Sequence, residues 1–430
     1  MRENRKAMSS RSDHVRPKPS YGRDSLKNSG RVKKPARVKK PGRVTKQALE
    51  LDDFQRLVKS RLPKAIYGYV SNGAEAGAAL ANNRAVFDRW NMVTRVLRDV
   101  SILSQETSLF GRRYAAPFGI APMGAAAVAA FDADNRMARA ARAANIPFVL
   151  SANSITPIEE LVRANPHAWF AAYQSPEEAK IERMLARVAQ SGIEVFVLTV
   201  DVPVGSNRLA DARTGYSMPL RPTPRLTWDG LTHPRWLGGT AFRTLFHRGV
   251  PAISNVEANA PIGLFSREVG RVTGHSSFSW QQAALIRKLW KGPFVLKGLL
   301  SAEDARIARE SGVDGIIVSN HGGRQLDSAV SPMEVLAEIK RESGDMTIIA
   351  DSGFRRGSDV LKALALGADF VLVGRPFLFA SVLAGEEGVR HAIALLSREI
   401  GINLALLGLP DVSEVTSGVL RDAIAGGRLA

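Results

Sequence analysis

The chain has 430 residues, with 59 Lys and Arg against 41 Asp and Glu, a formal net charge of +18, 45% hydrophobic residues and no cysteine. A chain of this length and apolar content can bury a large core, and without cysteine it has no disulfide, thiolate metal site or thiol nucleophile. Strong positive charge points toward nucleic acid or an anionic membrane as partner, unless the charge is confined to one segment.

The N-terminal 48 residues carry most of the excess charge. They contain 16 Lys and Arg against three acids, whereas the remaining 382 residues contain 43 against 38. A basic unit recurs at Arg31, Arg37 and Arg43, with prolines and few large apolar residues, so burial cannot offset the entropy of ordering this segment. We predict a disordered basic tail over residues 1–48, with an anchor to phosphate-rich partners or anionic lipid as the alternative. Residues 49–430 are predicted to form one mildly basic domain, and no nucleic-acid partner is expected.

No segment is predicted to cross a membrane. The longest charge-free apolar stretch, Ala115 to Phe131, is interrupted by two prolines and two glycines, which favours a buried strand and loop over a bilayer helix. The tail also lacks the apolar region of a signal peptide. We therefore expect a cytoplasmic protein, with peripheral contact to the inner face of a membrane as an open alternative.

Eight short apolar runs follow one another from about residue 115 onward. They are continuous rather than alternating, which is typical of parallel strands covered on both faces. Helix-start motifs follow several runs, at Thr156, Ser175 and Ser331, where a hydroxyl N-cap, a proline at N1 and a glutamate at N3 are predicted. Eight strands with intervening helices favour an α/β fold of the (β/α)8 TIM-barrel type over an open doubly wound sheet. The runs are Pro117–Pro122, Pro147–Ala152, Ala168–Tyr173, Glu194–Val200, Pro293–Gly298, Gly315–Ser319, Met346–Ala350 and Phe370–Gly374.

Ionisable residues stand at the ends of the fourth, fifth and sixth runs. In a TIM barrel the chemistry lies at the carboxyl ends of the strands. The sixth run leads into the sequence SNHGGRQLD, which contains His321 and Arg324, while Asp201, Arg208 and Lys297 follow or end the other two runs. An acid can stabilise an imidazolium, two arginines can clamp a carboxylate, and a lysine can face an anionic ring or phosphate. Each residue taken singly is equally consistent with a structural or surface role.

The seventh and eighth runs lead into loops rich in glycine and arginine. Asp351 to Arg355 (DSGFR) follows the seventh run, and Gly374 and Arg375 follow the eighth. Glycines let backbone N–H groups approach an anion, and arginines neutralise it. Because phosphate is commonly bound at this position of a TIM barrel, we predict a site for a phosphorylated cofactor, with ordinary glycine turns as the alternative.

These motifs, in this order, resemble the FMN-dependent α-hydroxy acid oxidase and dehydrogenase family, of which SNHGGRQLD is the active-site signature. The resemblance runs from about Leu62 to Leu409. It implies oxidation of an L-2-hydroxy acid to the 2-oxo acid, in a barrel with an N-terminal helical cap and a long insertion at about residues 210–278. His321 is implied to be the base, with Asp201 as its partner. Whether His321 removes the hydroxyl proton or the α-proton of the substrate stays open.

The resemblance also implies the other site residues and the partners. FMN is the implied cofactor, and no metal is implied. A homo-oligomer is expected, and by resemblance it is a tetramer. The electron acceptor stays open between oxygen, a quinone and a cytochrome. Tyr173 is implied to act in catalysis and substrate binding. The remaining substrate-binding residues are Tyr69, Arg208 and Arg324. The implied cofactor-binding residues are Pro122, Met123, Gly124, Ser151, Thr199, Lys297, Ser319, Asp351, Ser352, Gly353, Arg355, Gly374 and Arg375.

Three positions depart from patterns within the family. Ala171 stands where members usually place a glutamine that touches the flavin ring. Loss of one neutral hydrogen bond costs about 1 kcal/mol, so weaker FMN binding is expected and a catalytically impaired flavin-barrel scaffold stays open as an alternative. Met123 and Gly124 replace the Thr-Ala common in the oxidases, which favours a dehydrogenase. Asn153, where some members carry tryptophan, leaves room for a substrate larger than glycolate.

The insertion and the substrate class each leave an alternative. The insertion mixes aromatics and cations, including Trp236, Phe242 and Phe246. We predict a lid packed on its own barrel or on a neighbouring subunit, with contact to a membrane or an electron acceptor as the alternative.

Flavin-dependent oxidation of an amine or a peptide-derived substrate is the alternative reaction, but the pair Arg208 and Arg324 favours a carboxylate substrate.

Overall fold

The computed structural model describes residues 47–256, 261–268 and 276–423. The predicted basic tail lies almost entirely outside the described residues. The strands are β1 (Trp90–Met92), β2 (Thr107–Leu109), β3 (Arg112–Tyr114), β4 (Phe118–Ile120), β5 (Val149–Ser151), β6 (Trp169–Ala172), β7 (Phe196–Thr199), β8 (Ala252–Ile253), β9 (Ile262–Gly263), β10 (Phe294–Leu299), β11 (Gly315–Val318), β12 (Thr347–Ala350), β13 (Phe370–Val373) and β14 (Leu420–Asp422).

Helices alternate with the strands along the described chain. A π-helix spans Leu237–Phe242, and short 3-10 turns span Val86–Arg89, Val412–Glu414 and Ser417–Val419. The α-helices are α1 (Leu51–Val58), α2 (Lys64–Ser71), α3 (Ala78–Ala85), α4 (Ala126–Ala129), α5 (Ala133–Ala144), α6 (Ile158–Ala164), α7 (Glu178–Gln190), α8 (Leu209–Thr214), α9 (Pro224–Leu231), α10 (Pro234–Trp236), α11 (Arg243–Arg248), α12 (Trp280–Leu289), α13 (Ala302–Glu310), α14 (Pro332–Glu342), α15 (Gly357–Ala365) and α16 (Arg375–Leu407).

The eight predicted strands form one parallel sheet in the order β4-β13-β12-β11-β10-β7-β6-β5. A parallel bridge between Ile120 and Phe148 joins the two edge strands and closes the ring. Two separate core clusters explain the continuous apolar runs: Val197 and Val295 belong to one cluster, and their neighbours Phe196 and Phe294 to the other. Because both faces of each strand are buried, apolar residues predominate on both faces. The predicted (β/α)8 barrel is confirmed.

The helix-start motifs are only partly as predicted. Ser331 is the N-cap of α14, with proline at N1, and the Glu334 carboxylate accepts the Ser331 N–H at 2.6 Å. The prediction for Thr156 was wrong, because α6 begins at Ile158 with Pro157 at the N-cap. Here the side chain of Asn255 in the insertion accepts the Ile158 N–H at 2.9 Å and replaces the local cap. Ser175 is likewise displaced, since Glu177 is the N-cap of α7.

Two segments outside the barrel strands approach its carboxyl end. Helices α1 to α3 precede the barrel, and α2 carries Tyr69. The insertion between β7 and β10 contributes helices α8 to α11 and the antiparallel pair β8 and β9. It contacts its own barrel through the Trp236 indole N–H, which donates to the Val128 carbonyl at 2.9 Å, and through Arg248, which pairs with Asp132 and Glu160, each at 2.6 Å.

Candidate active site

A cavity of about 510 Å³ opens at the carboxyl ends of the barrel strands. Every site residue predicted from the sequence lines it except Asp201 and Ser319. Those two contact the lining from behind: Asp201 accepts from His321, and Ser319 accepts from the Lys297 ammonium at 2.8 Å. The structure therefore brings all the predicted residues together around one space.

His321 is held in one orientation by Asp201. Its Nδ1 lies 2.9 and 3.1 Å from the two carboxylate oxygens of Asp201. Since an ionised carboxylate only accepts hydrogen bonds, Nδ1 carries the proton and Nε2 is left as an acceptor. Nε2 lies 3.5 Å from the Tyr173 hydroxyl. The backbone of His321 is left-handed, with φ +57°, and its N–H donates to Ser319 Oγ at 3.0 Å, which fixes the turn that presents the ring.

The electrostatics of this pair suit a neutral base beside an ionised acid. Desolvation lowers the pKa of His321 below its ordinary value, and the charge and hydrogen bond of Asp201 offset only part of that effect. Desolvation alone would raise the pKa of Asp201, but the charges of His321 and Lys297 outweigh it, so the pKa of Asp201 is lowered. At neutral pH His321 can therefore accept a proton at Nε2, and Asp201 can stabilise the resulting cation.

Two arginines meet on the side of the cavity near α2. Arg324 donates to the backbone carbonyls of Tyr69 and Asn72 at 2.6 and 3.0 Å, and Arg208 donates to Ser206 Oγ at 2.9 Å. Among the described residues, neither guanidinium has a carboxylate within ion-pair distance. Desolvation and the charge of Arg208 lower the pKa of Arg324. Two uncompensated cations facing one space fit a carboxylate.

A second group of cations lies at the ends of β10, β12 and β13. Lys297 is buried, and its ammonium lies 3.2 Å from Asp351; desolvation would lower its pKa, but Asp351 and Asp201 outweigh this and raise it. Arg375 donates to the Val70 and Gly322 carbonyls at 2.9 and 2.8 Å. Its pKa is well below the ordinary value because of desolvation and the nearby charges of other arginines.

The backbone of the loop after β12 lies close to the part of the cavity that these cations line. Gly353 has φ +90°, and a Cβ on it would lie 2.0 Å from the Asn83 carbonyl oxygen, so only glycine fits there. Ser352 also has a positive φ, of +75°, and its hydroxyl accepts the Gly322 N–H at 3.0 Å. Arg355 pairs with Asp52 at 3.0 Å, whereas Arg375 has no carboxylate partner among the described residues. Enclosed cations beside a tight glycine turn fit the phosphate of a ring-bearing cofactor such as FMN.

The sequence motifs missed several cavity residues supplied by the insertion. Tyr216, Met218 and Ile253 line the cavity, and Tyr216 stacks on Tyr69 with ring centroids 4.4 Å apart. None of these residues belongs to a strand-end motif. The local sequence feature that could have pointed to Tyr216 is the preceding glycine, Gly215. It takes φ +86° and ends α8.

The fold and the site define a TIM-barrel oxidoreductase with a site for a phosphorylated cofactor. A family model described as FMN-dependent dehydrogenase matches residues 58–422, and the chain belongs to this family. It is 38% identical to the (S)-mandelate dehydrogenase of Pseudomonas putida, over 86% of this chain and 93% of that protein. It is also 38% identical to the L-lactate dehydrogenase of Pseudomonas entomophila (strain L48), over 85% and 96% of the two chains.

Solved structures give the same relationship. The crystal structure of the monotopic membrane protein (S)-mandelate dehydrogenase superposes with a TM-score of 0.81 at 37% identity, covering 87% of this chain and 99% of that one. A mandelate oxidase complex with 3,3-difluoro-2-hydroxy-3-phenylpropionic acid superposes with a TM-score of 0.72 at 32% identity, covering 87% and 98%. The family predicted from the sequence is confirmed, and with it FMN as the cofactor.

Proposed function

We propose that this protein oxidises an L-2-hydroxy acid to the corresponding 2-oxo acid. The observation that supports this most strongly is the placement of the proton-accepting His321 Nε2 and of the Arg208 and Arg324 guanidiniums around one cavity, where neither guanidinium has a carboxylate partner among the described residues. A base and a carboxylate clamp are the two things that a 2-hydroxy acid needs. The names of the related dehydrogenases agree with this substrate class.

Each polar group near His321 has a distinct proposed role. Arg208 and Arg324 bind the substrate carboxylate, and the hydroxyls of Tyr69 and Tyr173 line the same space. His321 accepts a substrate proton at Nε2, and the Asp201 carboxylate, 2.9 Å from Nδ1, stabilises the imidazolium that results. Preorganised charges of this kind stabilise a transition state because they need no reorganisation during reaction.

The cofactor is proposed to lie across the ends of β4, β5, β7, β10, β12 and β13. Bound FMN supplies the acceptor for the two electrons that leave the substrate. Lys297 is buried and would hold the flavin ring with a positive charge that favours its reduced, anionic form, and Arg355 and Arg375 would hold the phosphate. The other residues proposed to hold the cofactor are Pro122, Met123, Gly124, Ser151, Thr199, Ser319, Asp351, Ser352, Gly353 and Gly374.

Production of the 2-oxo acid tests the reaction class. The FMN-loaded protein, with an artificial dye as acceptor, should form 2-oxo acid from L-2-hydroxy acids and not from the D-enantiomers. L-2-amino acids with the same side chains separate this reaction from amine oxidation. Turnover of the amino acids alone, or no turnover of any L-2-hydroxy acid by protein that retains FMN, would refute the proposal.

We further propose peripheral contact with a membrane through the insertion. No helix in the described ranges is long and apolar enough to cross a bilayer. Phe242, Leu245 and Phe246, here called the insertion patch, are 59%, 47% and 86% exposed and lie beside Arg243. Exposed apolar side chains next to a cation suit the interface of an anionic membrane. A solved relative is described as a monotopic membrane protein.

Vesicle sedimentation tests the role of the insertion patch. The double variant Phe242→Ser/Phe246→Ser should lose most of its binding to anionic phospholipid vesicles and keep its turnover in solution. Leu406→Ser removes an exposed leucine of α16, which at 63% is close to the 59% of Phe242, and should bind as the wild type does. Equal binding by the double variant and the wild type would exclude the insertion patch as the contact.

A further inference from the structure

Tyr216 brings a phenol from the insertion into the cavity. Helix α8 ends at Thr214, Gly215 takes a left-handed conformation, and the Tyr216 N–H donates to the Asp211 carbonyl at 3.0 Å. This turn directs the side chain toward the barrel, where it is only 7% exposed and lines the cavity. The barrel strands alone therefore do not make up the whole lining.

The ring of Tyr216 is fixed by stacking. Its plane lies 23° from that of Tyr69, with centroids 4.4 Å apart, and the Arg324 guanidinium lies 5.1 Å from the centroid of the Tyr69 ring. The stack on Tyr69 thus holds the Tyr216 ring in the cavity that Arg208 and Arg324 also line.

The Tyr216 hydroxyl is a donor without an acceptor. Three tyrosines line the cavity. The Tyr69 hydroxyl donates to the Gly124 carbonyl at 2.9 Å, and the Tyr173 hydroxyl lies 3.5 Å from His321 Nε2. The Tyr216 hydroxyl has no hydrogen-bond partner within residues 47–256, 261–268 and 276–423. Desolvation raises its pKa well above the ordinary value, so it stays protonated. Because Tyr216 lines the cavity, this hydroxyl is free to donate to a molecule bound there.

We propose that the Tyr216 hydroxyl donates a hydrogen bond to the carboxylate of the bound 2-hydroxy acid, as a third donor beside Arg208 and Arg324. This inference rests on the proposed function. A carboxylate has about four lone-pair sites, so two guanidiniums that donate one hydrogen bond each leave sites for a third donor. The neutral phenol adds an interaction without adding a third positive charge. The insertion then completes the substrate site.

Tyr216→Phe tests the proposal, because it keeps the stacked ring and removes only the hydroxyl. Oxalate and a 2-oxo acid, which bind without reacting, are titrated into the FMN-loaded protein while the flavin absorbance is followed. Their Kd and the KM for the L-2-hydroxy acid should rise about 10- to 100-fold, the range for a hydrogen bond to a charged group. The kcat at saturating substrate should stay within about threefold, since an interaction made equally in ground and transition states affects binding alone.

Tyr67→Phe is the matched control, because it also removes only a phenol hydroxyl, but the Tyr67 hydroxyl accepts from the Gln55 amide at 3.2 Å and Tyr67 does not line the cavity. This control should bind oxalate as the wild type does. Unchanged Kd values in Tyr216→Phe, or a loss confined to kcat, would overturn the proposal. Failure of the wild type to turn over any 2-hydroxy acid would instead count against the proposed function, and the oxalate titration still reports on Tyr216 in that case.

Discussion

Gly298 and Asp201 lie so close that no side chain fits between them. A Cβ on Gly298 would be 2.5 Å from both Cβ and Cγ of Asp201. Gly298 has φ +110° and is the extra residue of β10, where the register against β11 shifts between Lys297 and Leu299. A bulge of this kind redirects side chains near a site. The absence of a side chain on Gly298 leaves room for the Asp201 carboxylate to face His321.

Gly298→Ala should therefore displace Asp201 and slow substrate oxidation by about 100-fold or more, because a base without its orienting partner loses much of its contribution. Gly312→Ala is the control, since Gly312 also has a positive φ, of +71°, but has open space around it. Gly312→Ala should lose about 1 kcal/mol of stability from backbone strain, and Gly298→Ala should lose more because its Cβ also meets Asp201. Denaturant unfolding measures both losses. A wild-type rate in Gly298→Ala would mean that this contact does not position Asp201.

The acid limb of the pH profile should report His321. Because the base acts unprotonated, kcat/KM should fall as pH drops through the pKa of His321, which desolvation places below its ordinary 6.5. Asp201 raises that pKa, so Asp201→Asn should shift the inflection to lower pH and also lower the plateau. The profile of kcat/KM against pH measures both effects. A shift to higher pH would contradict the assigned pairing.

Ala171→Gln should strengthen cofactor binding. Ala171 lies opposite Ser151 in the pairing of β5 with β6 and lines the cavity. A glutamine there adds one hydrogen bond to the flavin, and about 1 kcal/mol corresponds to roughly a fivefold lower Kd for FMN. Titration of the apoprotein by fluorescence measures this. Unchanged or weaker binding would show that the missing amide is not what limits affinity for FMN.

Local patterns predicted the barrel and the strand-end residues because their cause is local. A strand buried on both faces is apolar on both, as Phe370–Val373 is, and the strand ends of a closed barrel converge wherever they lie in the chain. The contacts of the insertion have no such local cause. Asn255 caps a helix whose first residue, Ile158, is 97 positions away, and Tyr216 reaches Tyr69 only after the chain has folded back. Neither pairing leaves a trace in the spacing of residues.

Reduction of the bound flavin by substrate, followed without oxygen, tests the role of His321 most directly. FMN-loaded wild-type protein and His321→Ala are mixed with a series of L-2-hydroxy acids, and the flavin absorbance is recorded with time. The wild type should bleach, and the variant should keep its yellow colour and bleach about 10²- to 10⁴-fold more slowly, the contribution expected of a general base. Bleaching of His321→Ala at the wild-type rate would contradict its assignment as the base, and a wild-type protein that binds FMN but bleaches with none of these acids would contradict the reaction itself.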